Sequence, residues 1–149
     1  MNATKAYLKQ YLVACETIRR CEADIAELEN TIETITLDND GMPRSSNISD
    51  RTSQLGTALA DATAKREALI VEAWDIREDI EDIIAQVTEI NAKHGRLLYL
   101  RYIQGADWRD IADDEIIRHD AIYTRGNLHV SALKTAENVI NSTGRSIIE

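Results

Sequence analysis

The chain has 149 residues and a formal net charge of −9; 44% of its residues are apolar and 29% are charged. This composition excludes wholesale disorder, and the absence of Phe with a single Pro favours long helices over a β-sandwich. No apolar run approaches the roughly 18 residues of a membrane span, and MNATKAYLKQ lacks the apolar stretch of a secretory signal, so we expect a cytoplasmic protein that contacts no membrane.

A first helix is predicted over residues 3–37. Its apolar residues recur in steps of three and four, with one short step that is typical of a stammer in a heptad seam. Cys15 and Cys21 lie six residues apart on this helix, so they cannot form a disulfide within it. The seam consists of Leu8, Tyr11, Cys15, Ile18, Cys21, Ile25, Leu28, Ile32 and Ile35.

A loop is predicted over residues 38–50, because Asp40-Gly41 and Pro43 are strong turn signals. Ser49 or Asp50 is the expected cap of a second helix over residues 50–91. The second helix has its own heptad seam: Leu55, Leu59, Ala62, Arg66, Leu69, Ala73, Ile76, Ile80, Ile83, Val87 and Ile90.

Two consecutive seams joined by a loop predict an acidic antiparallel hairpin, a coiled coil, over residues 1–92. The pattern leaves open whether the seams pair within one chain or between chains. Trp74 and Val71 lie off the seam, so they either lean over the edge of the hairpin or pack against another subunit. We expect a homo-oligomer, with a dimer favoured.

A small three-helix domain is predicted over residues 93–149. Gly95 is expected to end the long helix, Gly105 to close a first short helix, and Asp107 to cap a second. A third helix follows over residues 127–140, and then a loose tail. This order is that of a helix-turn-helix, and the complete fold class is all-α: a long helical hairpin followed by a helix-turn-helix domain.

The stretch LLYLRYIQGADWRDIADDE (residues 97–115) resembles sigma-factor region-4-like domains and, more closely, the ArpU-like and RinA-like regulators of bacteriophages. Phage relatives of these regulators also have a YLKQY segment, an acidic coiled-coil stretch, a DGMP-R-S loop ending in SD, and a last helix that often reads LHGRAL. The matching segments here, in the same order, are YLKQY (7–11), DGMPRS (40–45), SD (49–50) and LHVSAL (128–133).

The resemblance implies a transcriptional regulator of phage late genes that binds promoter DNA inside the bacterial host cell, with contact to host RNA polymerase as a second expectation. The sequence departs from the family over DDEIIRHDAIYTRGN (113–127), which is longer than the usual turn and places Gly126 inside the expected recognition helix. Because Gly in a helix interior costs about 1 kcal/mol, either the helix starts late, at Asn127, or the turn is remodelled.

Residues that can read base edges or hold phosphates cluster around this departure. Arg118, Arg125 and Lys134 among them are equally compatible with a solvated surface. His129 is also compatible with a packing position. The candidate DNA contacts are Arg118, His119, Tyr123, Thr124, Arg125, Asn127, His129, Ser131 and Lys134.

An acidic cluster precedes them and would repel phosphates unless it faces away from DNA, so it is a candidate partner-binding surface. It suggests an alternative function, a protein adaptor or inhibitor that has lost DNA readout; a DNA-packaging small subunit is a third. We expect no enzyme, metal site or cofactor, because no phosphate loop or catalytic motif is present. The acidic cluster is Asp107, Asp110, Asp113, Asp114 and Glu115.

Overall fold

The computed structural model describes residues 2–38, 46–117 and 124–145, and within these residues it is all-α, as predicted. A single π-helical turn, Thr124–Leu128, leads directly into the last helix. None of the described helices is both long enough and apolar enough to cross a membrane. The five helices of the described residues are α1 (Asn2–Asp38), α2 (Ser46–Ile90), α3 (Ala92–Tyr102), α4 (Trp108–Ala112) and α5 (His129–Ser142).

The chain divides into two compact units. One, which we call the head, comprises Met1–Val13 and Ala73–Glu149; the other, which we call the arm, is Ala14–Glu72. This division differs from the predicted boundary at residue 92, because the first turns of α1 and the last turns of α2 share one hydrophobic core with α3 and α5.

In the arm, α1 and α2 form the predicted hairpin, and their seams pair within one chain. The buried Cys21 thiol donates a hydrogen bond to the Ala62 carbonyl at 3.4 Å. Arg66, the one polar seam residue of α2, pairs with Glu22 of α1 at 3.5 Å. A two-helix hairpin cannot enclose its seam on all sides, so most apolar seam residues remain only half-buried: Ile18, Ile25, Leu28, Leu55, Leu59 and Leu69.

Helix α2 begins earlier than predicted. It starts at Ser46, so the loop does not extend to residue 50, and Ser49 and Asp50 lie inside the helix instead of capping it. The segment from Ser46 to Asp50 contains neither Gly nor Pro, so nothing in its backbone prevents the helix from extending. The predicted turn at residues 40–43 lies outside the described residues.

The joint between α2 and α3 is a single residue, Asn91. Its backbone N–H donates to the Val87 carbonyl at 2.8 Å, which completes α2. Its side-chain Oδ1 accepts from the backbone N–H groups of Lys93 (3.0 Å) and His94 (3.2 Å). One asparagine therefore ends one helix and caps the next.

Gly95 does not end α2; it is buried within α3. A Cβ atom at this position would lie 2.7 Å from both the Cα and the Cβ of Thr88 on α2. Real Cβ atoms do not approach backbone so closely, so the absence of a side chain lets α3 cross α2 at this distance.

The core of the head combines residues from α1, α2, α3, α4 and α5. Leu97, Leu100, Ile111 and Leu133 are buried in this core, while Trp108 and Leu128 are partly buried against them. Leu8 supplies the contribution of α1. The largest side chains that are fully buried in this core are Tyr102, Leu8, Ile80, Ile83, Leu97, Leu98, Ile111, Ile117 and Ile140.

We expect Gly95→Ala to destabilise the head by roughly 2 to 3 kcal/mol, the usual range for an overpacked core. Denaturant unfolding followed by circular dichroism measures the change. Gly126→Ala is the matched control in the same unit, because a Cβ there meets nothing within 4 Å. Equal stability of the two variants would show that α2 and α3 separate at little cost.

Thr4→Val is expected to raise the free energy of unfolding by about 1 kcal/mol. Thr4 is fully buried in the first turn of α1, and its Oγ1 has no hydrogen-bond partner within the described part of the chain. Replacing an unpaired hydroxyl by a methyl group of the same shape removes a desolvation cost of about 1 to 3 kcal/mol. A loss of stability in the same unfolding assay would contradict this reading.

Candidate nucleic-acid interface

The turn between α3 and α4 has the geometry that the sequence predicts. Gly105 adopts a positive φ of 68°, a conformation that glycine reaches without strain. The Asp107 carboxylate accepts from the backbone N–H of Asp110 at 2.9 Å, so Asp107 caps α4 as predicted. The Arg101 guanidinium donates to the Ala106 carbonyl at 3.1 Å, which holds the turn against α3.

Helix α5 has one buried face and one polar face. Its inward residues, among them Ala132, Leu133 and Ala136, belong to the core of the head. A second set, spaced by four, three, four and three residues across the π-helical turn and α5, is exposed to solvent. We call this set the α5 stripe: Asn127, Ser131, Lys134, Asn138 and Asn141.

The chemistry of the α5 stripe suits the edges of base pairs. An asparagine amide both donates and accepts, so it can pair bidentately with adenine, while Ser and Lys hold phosphates. The stripe contains no carboxylate, and Glu137 at its flank is half-buried. Asn138 and Asn141 were missed by sequence reasoning, although their spacing from Lys134 at i+4 and i+7 is a signal that could have found them.

His129 is not a DNA contact in this structure, because its side chain is buried. Its Nε2 lies 2.8 Å from the Tyr102 hydroxyl, and the Trp108 ring meets it edge to face with centroids 4.7 Å apart. His129 is the first residue of α5, so these contacts fasten that end of the helix to α3 and α4. Its role is packing, the alternative that the sequence left open.

The Tyr102–His129 pair is held in its neutral form. Burial lowers the pKa of His129 to about 4, with Lys5, Arg101 and Lys9 adding to the shift through their positive charges. Burial also raises the pKa of Tyr102 to about 12, although Arg101 opposes that shift. Both shifts favour a hydrogen bond between an uncharged imidazole and an uncharged phenol.

The acidic cluster is only partly available to a partner. Asp107 is used as the cap of α4, and Asp114 accepts two hydrogen bonds from the Arg96 guanidinium at 3.0 and 3.1 Å. Burial raises the pKa of Asp114, but the hydrogen bonds from Arg96 and from the backbone N–H of Ile116 outweigh it and lower the pKa overall. Asp110, Asp113 and Glu115 are exposed.

Five further candidate contacts precede Asn127 in the sequence. Arg118, His119 and Tyr123 lie outside the described residues. Thr124 and Arg125 belong to the π-helical turn, which also contains Gly126 and leads into α5 at His129. The α-helix therefore starts late, two residues beyond the predicted Asn127, with Gly126 outside its regular interior.

Comparison with protein-family models, with curated proteins and with solved structures finds no match. The resemblance to phage regulators consequently stays a prediction from the sequence.

We expect the head to lose roughly 2 to 3 kcal/mol of stability between pH 7 and pH 4 through His129 alone. A folded-state pKa of about 4 lies below the unfolded value, so the neutral imidazole stabilises the fold at neutral pH. That stabilisation declines as the pH falls from about 6.5 towards the folded pKa. Nuclear magnetic resonance titration of the ring and unfolding at both pH values measure it.

His129→Leu is the matched variant, since it keeps the apolar contact and removes the proton. Its stability should depend less on pH over this interval than that of the unsubstituted protein. An imidazole of His129 that titrates at its ordinary value in the folded protein would contradict the burial argument.

Proposed function

We propose that the head binds double-stranded DNA through α5, and that the protein is a phage-type transcriptional regulator. The observation that carries the proposal is the amphipathic construction of α5: one face is buried in the core, and the other is the α5 stripe. A helix fixed in this way can enter the major groove with its first turns against base edges.

The charge distribution supports a local and salt-sensitive mode of binding. Residues 1–92 hold 9 Lys and Arg against 18 Asp and Glu, whereas residues 93–149 hold 8 of each. An acidic chain gains little from nonspecific attraction to DNA. Binding therefore depends on the surface around α5, and we expect it to weaken steeply as salt is added.

Both units leave apolar surface for self-association. The seam residues of the arm remain half-buried and Val71 of the arm is 63% exposed, while Trp74 of the head is 61% exposed. Trp74 lies at the start of the head segment of α2, where the Arg77 guanidinium stands 5.5 Å from its ring centroid. A dimer would cover such apolar surface and match a two-part DNA site; docking on host RNA polymerase is the other use of this surface.

A second candidate function is a protein adaptor, which the exposed carboxylates Asp110, Asp113 and Glu115 favour. Such a surface fits a basic patch on a partner protein. A DNA-packaging small subunit is a third reading. Solution mass, a DNA titration and a pull-down from host lysate separate the three. A dimer that binds DNA supports the regulator, and a ring of many subunits supports the packaging protein. Capture of RNA polymerase by a protein that does not bind DNA supports the adaptor.

If the protein is a DNA-binding regulator, a variant that combines Asn127→Ala, Ser131→Ala and Lys134→Ala should bind DNA more weakly by a factor of roughly 10 to 100. The affinity is measured for duplexes that the unsubstituted protein selects from a random pool. Loss of one good bidentate base contact alone costs about 1 to 3 kcal/mol. Alanine is the best helix former, so α5 should persist. Fluorescence anisotropy measures the affinity.

The matched control neutralises the other surface with Asp110→Asn, Asp113→Asn and Glu115→Gln. If the protein is a regulator, this control variant should keep or gain DNA affinity, because repulsion of phosphates is removed. If it is an adaptor, the alanine variant of the α5 stripe should keep full binding to the partner protein, and the control variant should lose it. Absence of any selected duplex at low salt would make direct DNA binding wrong.

A further inference from the structure

Two lysines of α1 belong to the head although they are far from α5 in sequence. Lys5 and Lys9 lie in the segment Met1–Val13, which the head incorporates, and residues 1–15 include no Asp or Glu. Lys9 is exposed and Lys5 is half-buried. Within the described part of the chain, neither lysine is paired with a carboxylate.

The periodicity of α1 places both lysines toward the turn between α3 and α4. Lys5, Lys9 and Leu12 follow at i, i+4 and i+7, so they share one face of the helix. Leu12 lies against the turn: its Cδ2 is 3.4 Å from the position that a Cβ on Gly105 would occupy. Leu8, between the lysines, is fully buried in the core of the head.

Arg101 brings a third cation to the same turn. Its guanidinium donates to Ala106 beside Gly105 and stands 4.6 Å from the centroid of the Trp108 ring. Trp108 in turn packs edge to face on His129, the first residue of α5. A continuous set of contacts therefore connects the turn that Arg101 and Leu12 contact with the N-terminal end of α5.

We propose that Lys5, Lys9 and Arg101 form a phosphate-binding surface, the basic rim, that holds the DNA backbone beside the N-terminal end of α5. This proposal rests on the DNA-binding function proposed above and names its anchoring contacts. The basic rim supplies charge, whereas the α5 stripe supplies base contacts, which is the division of labour in sequence-specific binding.

The electrostatics of the head agree with this placement. The positive charges of Lys5, Arg101 and Lys9 each help to lower the pKa of His129, so all three act on the first residue of α5. A phosphate beside the basic rim would meet the same positive charges.

The test compares a variant that combines Lys5→Gln and Lys9→Gln with the unsubstituted protein. The probe is a labelled duplex of about 30 base pairs, roughly three helical turns, that the unsubstituted protein selects from a random pool. Each phosphate contact contributes about 0.9 to the slope of log affinity against log salt, so the slope should fall by about 1.8 and the affinity by about tenfold. Arg101 stays intact, because it also holds the turn.

Two controls make the result specific. Arg19→Gln with Arg20→Gln changes the net charge equally on the arm part of α1, where both residues are exposed, and it should leave the slope unchanged. Lys5→Arg with Lys9→Arg keeps the charge and should keep the slope. Circular dichroism checks that each variant remains helical.

An unchanged slope in the lysine variant, or an equal fall in the Arg19 and Arg20 variant, overturns the basic rim. If the basic rim is overturned but the alanine variant of the α5 stripe still loses affinity for the selected duplex, the proposed function stands without the basic rim. If the unsubstituted protein binds no duplex at low salt, both proposals fail.

Discussion

One buried hydrogen bond, between the Tyr102 hydroxyl and Nε2 of His129 at 2.8 Å, fixes the N-terminal end of α5. It joins the last residue of α3 to the first residue of α5, and the Trp108 ring supports it from α4. Both partners are neutral, so the bond avoids the desolvation cost of a buried charge. With this end of α5 fixed, its apolar residues enter the core and the α5 stripe faces solvent.

The head is assembled from two separate parts of the chain. The first turns of α1 supply Leu8 and Leu12, which pack on the core and on the turn at Gly105. Arg145 contacts α2 from the other direction: its guanidinium lies 3.1 Å from the Asp82 carboxylate and donates to the Asp79 carbonyl at 3.0 Å. The predicted boundary at residue 92 separates segments that bury apolar surface together.

Sequence periodicity was sufficient for the two long helices and their seams, because heptad spacing reports directly which face is apolar. It left open that the two seams pair within one chain, which depends on contacts such as that between Arg66 and Glu22. Asp107 and Gly105 were predictable for the same local reason, since cap and turn chemistry depend on nearby backbone. The joint between α2 and α3 was not predictable, because a glycine such as Gly95 commonly ends a helix. Its actual requirement, the close approach of Thr88, comes from a helix crossing that no local pattern records.

The candidate site was predictable only in part. Asn127, Ser131 and Lys134 follow from helical spacing, whereas the burial of His129 depends on Tyr102, which lies 27 residues earlier. Asp114 was grouped with surface acids, but it is tied to Arg96 through a contact between distant residues. Lys5 and Lys9 could not be connected with α5 from sequence, because only the packing of α1 brings them into the head.

The division of the chain also constrains how the protein is made. The arm consists of residues close in sequence, so its hairpin can form as soon as α2 has left the ribosome. The head has to wait, because its core is complete only once α3 and α5 have been synthesised. Until then Leu8 has only the last turns of α2 to pack against, and the nascent chain displays an unfinished apolar surface while the arm has already folded.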